Sequence, residues 1–121
     1  MQLNVLGGYL QACCTSPMTG FYRDGFCNTG REDLGVHTVC VKVDDAFLAY
    51  SKSVGNDLST PFEAYNFPGL KSGDCWCLCA ERWLQAFKDG MAPKVILSSS
   101  NIRSLDFIPL EVLMEYALDL E

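Results

Sequence analysis

A chain of 121 residues, 49% apolar and 20% charged, has the balance of one globular domain with its own core, and excludes a disordered segment or a coiled coil. Fifteen acidic residues against nine basic ones give a net charge of −6. That field repels phosphate backbones and anionic headgroups, so neither nucleic acid nor a membrane is an expected partner.

In chain order, residues 1–35 are dense in turn formers (Gly7-Gly8, Ser16-Pro17, Asp24-Gly25, Asn28-Thr29-Gly30) and read as loop, with one short strand at Asn4 to Leu6. The start, Met1-Gln2-Leu3-Asn4-Val5-Leu6, lacks the basic region of a secretion signal, and no apolar run reaches spanning length, so the expected location is cytoplasmic. Val36 to Val43 is rich in β-branched residues and predicts a core strand with His37, Val39, Val41 and Val43 on one face. Asp44 and Asp45 then cap a helix running through about Val54, with Phe47, Tyr50 and Val54 on its apolar stripe and Gly55 as terminator.

Asn56 to Asp74 carries four clusters of turn residues and is long for a loop in a compact domain, which suits a functional segment. Cys75 to Cys79 reads as a short strand. Ala80, Trp83, Leu84 and Phe87 follow at helical spacing, before Gly90 and Pro93 end the helix. Lys94 to Ser98 and Arg103 to Ile108 are expected as two further strands. Leu110, Leu113, Met114 and Ala117 mark a C-terminal helix whose end, opposed by Asp119 and Glu121, should fray. The expectation is an α+β fold: a single compact domain over residues 1–121 with a short, mainly antiparallel sheet, about three helices and long loops.

Seven cysteines are an odd number, and in a reducing compartment they are expected as unbridged thiols packed like small hydrophobes. Cys13 and Cys14 are adjacent and Cys75, Cys77 and Cys79 alternate, so neither group bridges within itself; residues two apart on a strand have Cα atoms about 6.6 Å apart.

The blocks Asn4-Val5-Leu6-Gly7-Gly8, Thr19-Gly20-Phe21-Tyr22-Arg23-Asp24-Gly25, Asp33-Leu34-Gly35-Val36-His37, Gly55-Asn56-Asp57-Leu58-Ser59-Thr60-Pro61 and Trp76-Cys77-Leu78-Cys79-Ala80-Glu81-Arg82-Trp83, in this order, resemble a family of small, mainly bacterial proteins classed as a domain of unknown function. The resemblance spans almost the whole chain and implies no activity. Its recurring thiols correspond to Cys27, Cys40, Cys77 and Cys79, with a single cysteine where this chain has Cys13-Cys14 and a basic residue in place of Cys75.

Three chemistries are compatible with the residues. Polar groups in two loop regions, among them Arg23, Asp24, Asn56 and Asp57, together with His37, are how a small-molecule pocket is furnished, although Asp and Asn also serve their own turns. This gives the expected site: a loop-lined pocket that binds or transforms a small ligand. A cysteine nucleophile with His37 as base, near Arg23, Arg31 or Arg82, is the enzymatic form, set against a His37 that merely satisfies itself in the core. Cys27, His37, Cys40, Cys77 and Cys79 are the donors for a metal if one is held, but the one-residue gap between Cys77 and Cys79 suits a strand better than a chelate, and no metal is expected. No phosphate loop or nucleic-acid motif occurs, so no cofactor is expected either. The rival class is a protein-interaction or scaffold module without chemistry.

Overall fold

The computed structural model describes residues 2–119. Its centre is a three-stranded antiparallel sheet ordered β2-β1-β3, made of β1 (His37–Lys42), β2 (Cys75–Cys79) and β3 (Lys94–Val95). Three helices attend it: α1 (Asp45–Ser53), α2 (Ala80–Lys88) and α3 (Leu110–Glu115). The α+β expectation holds.

Burial explains the elements. Val39, Val41 and Val43 turn one side of β1 into the main core, where Trp76 and Leu78 of β2 meet them. Asp44 caps α1 by accepting a hydrogen bond from the Phe47 amide at 2.8 Å, and Phe47 and Leu48 anchor that helix to the core. In α2 the stripe read from the sequence is buried through Ala80 and Trp83. The Trp83 ring stacks on Phe87 with centroids 5.8 Å apart, meets the edge of Tyr116, and donates its indole N–H to the Pro93 carbonyl.

Five expectations are corrected. His37 leaves the valine stripe: Val39 pairs with Leu78 but His37 pairs with Cys79, so Thr38 is an extra residue in β1 and the strand bulges there. Arg103 to Ile108 is no strand. Asn101 accepts a hydrogen bond from the Arg103 amide and starts a 3₁₀ turn over Ile102–Asp106, a local side-chain cap that outcompetes the apparent alternation. Lys94 to Ser98 keeps only two strand residues before a 3₁₀ turn at Leu97–Ser99, and the Asn4 to Leu6 stretch is a turn braced by isolated bridges. The side-chain carboxylate of Asp119 does not fray outward but accepts from the Leu97 and Ser98 amides; Glu121 lies outside the described residues.

The cysteines overturn the expectation of unbridged thiols. Cys13 is joined to Cys40 and Cys27 to Cys77, across sequence separations of 27 and 50. Spacing within a local group says nothing about partners that far apart, which is why adjacency and alternation misled. Cys14, Cys75 and Cys79 are free. No helix among the described residues is long and apolar enough to cross a membrane.

Closing loops of these lengths removes about 3 to 4 kcal/mol per bridge of unfolded-chain entropy in the chain-entropy account. Urea unfolding with and without reductant should therefore differ by about that amount per bridge. Alkylation of the unreduced protein, read by mass, should find Cys14, Cys75 and Cys79 alone. A midpoint indifferent to reductant would show that the sulfurs do not brace the fold.

Candidate ligand-binding cleft

Two adjoining clefts open beside the β1–β2 pair and share His37, Leu58 and Trp76 as walls. One, of about 280 Å³, adds Gly20, Phe21, Arg23 and Cys77. The other, of about 190 Å³, adds Asn56, Leu78, Cys79 and Arg82.

Each polar wall residue is positioned by the local fold. Arg23 sits in the left-handed region at φ 55°, a conformation uncommon for a side-chain-bearing residue. There its amide and Nη1 both donate to the Gly20 carbonyl, and its guanidinium lies 5.1 Å from the Trp76 ring centroid. Arg82, on the first turns of α2, donates through Nη1 to the Val54 carbonyl and to Gln85. Among the described residues neither arginine is in a salt bridge; the two ion pairs present join His37 to Asp33 and Arg103 to Asp106. Asn56 enters from the loop after α1, where its carbonyl accepts from the Ser51 hydroxyl and its amide donates to the Ser51 carbonyl.

His37 is held by the Asp33 carboxylate, which was not among the residues expected at the site. Asp33, its side chain fully buried, lies with Oδ1 2.6 Å from His37 Nδ1, while Oδ2 accepts from the His37 amide and from the Thr29 hydroxyl. A carboxylate only accepts, so Nδ1 carries the proton and Nε2 is left facing away from Asp33. The ring is also pinned from behind: a Cβ on Gly35 would stand 2.6 Å from the imidazole Cε1, so only glycine allows this approach. Val36, between them, takes φ 50°, which is strained for a β-branched residue and is the kind of departure found where a neighbour must be aimed.

Of the residues expected at the site, Arg23, His37 and Asn56 come together here. Asp24 and Asp57 do not. Asp24 lines a separate concavity of about 570 Å³, with Gln2, Leu10, Tyr22, Phe26 and Asn28 around it. That concavity is larger, yet its polar groups are mutually satisfied: Asp24 accepts from the Phe26 amide and from Asn28, and Tyr22 donates to Glu32, which pushes the Tyr22 phenol up to about 12. Asp57 braces its own loop, accepting from the Thr60 hydroxyl at 2.6 Å and from the Ser59 amide and hydroxyl. Of the five donors named for a metal, Cys27, Cys40 and Cys77 are disulfide sulfurs and His37 is bonded to Asp33, leaving Cys79 as a free thiol. The Cys13, Cys27 and Cys77 sulfurs do gather within 4.8 Å of one another, as bridged sulfurs rather than thiolates. Trp76 is not among the residues expected at the site; it is 7% exposed and walls both clefts.

The sequence model for the family described as "uncharacterized protein conserved in bacteria", domain of unknown function 2237, matches residues 3–117. The chain belongs to this family. Its description gives no activity, and no curated protein matches the chain.

Asp57 yields a pH prediction. The Thr60 hydroxyl and the Ser59 amide hold its carboxyl at about 2, below the usual 3.8. A depressed carboxylate contributes stability above its unfolded pKa and loses it as pH falls through the folded one. An NMR titration should place the Asp57 midpoint near about 2. Asp57→Asn should then flatten the decline of melting temperature over the acid range below the usual 3.8, while leaving ligand binding untouched.

Proposed function

We propose that the family member described here binds a small anionic ligand in the Arg23–Arg82 cleft. The observation that carries this reading is a contrast of charge. In a protein of net charge −6, the two clefts carry two arginines without ion-pair partners and, among the described residues, no carboxylate on their walls. Each guanidinium has five donors in a planar fork suited to a carboxylate or phosphate, and among the described residues only its Nη1 is engaged. Trp76, Leu58 and Leu78 supply an apolar floor, and Asn56 and His37 supply polar contacts that orient a ligand of modest size.

The rival reading, an interaction module without chemistry, requires Arg23 and His37 both to be paired inside the protein. His37 is so paired, whereas among the described residues Arg23 meets only a carbonyl and an indole face. Where the cleft works follows the bridges. In a cytoplasmic setting, the location expected from the sequence, disulfides are transient or redox-active, whereas an oxidising compartment keeps them closed.

Arg23→Ala and Arg82→Ala test the proposal with succinate and inorganic phosphate as probes in thermal shift and calorimetry. Loss of a charge-assisted hydrogen-bond pair should weaken binding by about 10- to 100-fold. Arg23 is exposed, so Arg23→Ala should change the stability of the free protein by about 1 kcal/mol or less. A destabilisation of about 3 kcal/mol with neither probe bound by the unmodified protein would replace the cleft reading with the interaction module.

A further inference from the structure

We propose that Cys79 is a nucleophile in this cleft, with His37 as its general base and Asp33 as the residue that positions the imidazole, and that the substrate is a small ester or thioester bearing an anionic group. The substrate class rests on the anion-binding reading above; the thiol chemistry does not.

The bulge in β1 is the starting point. It sets His37 directly opposite Cys79 in the antiparallel register, and opposed residues on paired strands have neighbouring side chains. Both line the smaller cleft, with Arg82 and Asn56. Asp33 fixes the proton on Nδ1, so Nε2 is the nitrogen with a lone pair for a thiol proton.

Cys79 has a second advantage of place. It is the last residue of β2 and the N-cap of α2, and its side chain makes no capping hydrogen bond. The Ala80 amide is committed to the Val36 carbonyl. The amides of the next residues in the first turn of this nine-residue helix have no intrahelical partner, and they are assigned the oxyanion that forms on a carbonyl attacked from Cys79. The other free thiols lack this setting. Cys75 is pushed up by burial with Cys14 nearby, and neither lines either cleft.

The reaction balances without an added oxidant or reductant. His37 Nε2 takes the Cys79 thiol proton as Sγ bonds to the substrate carbonyl carbon. The bond from that carbon to the leaving oxygen or sulfur breaks, and the leaving group takes the proton from His37. Water then attacks the thioester, giving its proton to His37, and Cys79 departs and recovers it. The products are a carboxylic acid and an alcohol or thiol.

The test uses the full chain with both disulfides closed and two chromogenic esters of equal length, mono-4-nitrophenyl adipate, which is anionic, and 4-nitrophenyl hexanoate, which is neutral. The expected result is a burst of nitrophenolate stoichiometric with protein, and an acyl group found by peptide mapping on Cys79 ahead of Cys14 and Cys75. Cys79→Ala abolishes the burst, and His37→Gln slows it about 100-fold or more. Asp33→Asn slows acylation at saturating ester while leaving the half-saturating concentration unchanged, which a general loss of structure would not do. Acyl transfer to Cys79 at equal rates from both esters upholds the nucleophile and removes the anion-binding reading. If neither ester acylates Cys79 faster than Cys14 and Cys75 in the unmodified protein, a comparison that needs no variant to fold, the proposal is overturned.

Discussion

Two disulfides that land on one cross-strand pair set the terms for everything else. Cys40 and Cys77 face each other across β1 and β2, and each is bonded to a cysteine of the N-terminal third, Cys13 and Cys27. The chain between those two cysteines carries Arg23 and has almost no regular structure to hold it. Fastening both its ends to the same rung of the sheet places the Arg23 guanidinium over Trp76, the residue one step along β2 from Cys77. Without that fastening, a loop of turn formers would have little reason to sit against the sheet in one arrangement.

Hydrogen bonds finish what the sulfurs begin. The Cys77 amide donates to the Thr19 hydroxyl and the Cys40 amide to the Ser100 hydroxyl, so buried polar side chains from distant segments satisfy the strands beside the bridges. Asn101 reaches the Cys27 carbonyl and its amide meets the Thr38 carbonyl at the bulge. Among the described residues no buried side-chain nitrogen or oxygen is left without a partner. The irregular N-terminal third is thus integrated into the core by polar contacts that hydrophobic periodicity does not register.

Elements governed by local pattern were legible in the sequence. The valines of β1, the Asp44 cap of α1 and the apolar stripe of α2 each follow from spacing and side-chain type. What was not legible depends on partners far along the chain. The bulge at Thr38 is settled by pairing with β2, and the 3₁₀ turn after Asn101 by one side-chain cap, while the bridges join residues with no local relation. The same division runs through the cleft. Arg23, His37 and Asn56 stood out as polar residues in turn-rich or odd settings. Asp33 needed the His37 contact, and Trp76 needed the cavity beside it, before either could be recognised.

The bridges also interleave: Cys13 to Cys40 overlaps Cys27 to Cys77. A single cut in the backbone anywhere between residues 13 and 77 therefore leaves two pieces still covalently joined, because at least one sulfur link spans every such break. The long stretch between α1 and β2, exposed over most of its length and so open to a protease, falls within that interval. A nick there frees no fragment, so the halves that build the cleft keep their company until a reductant parts them.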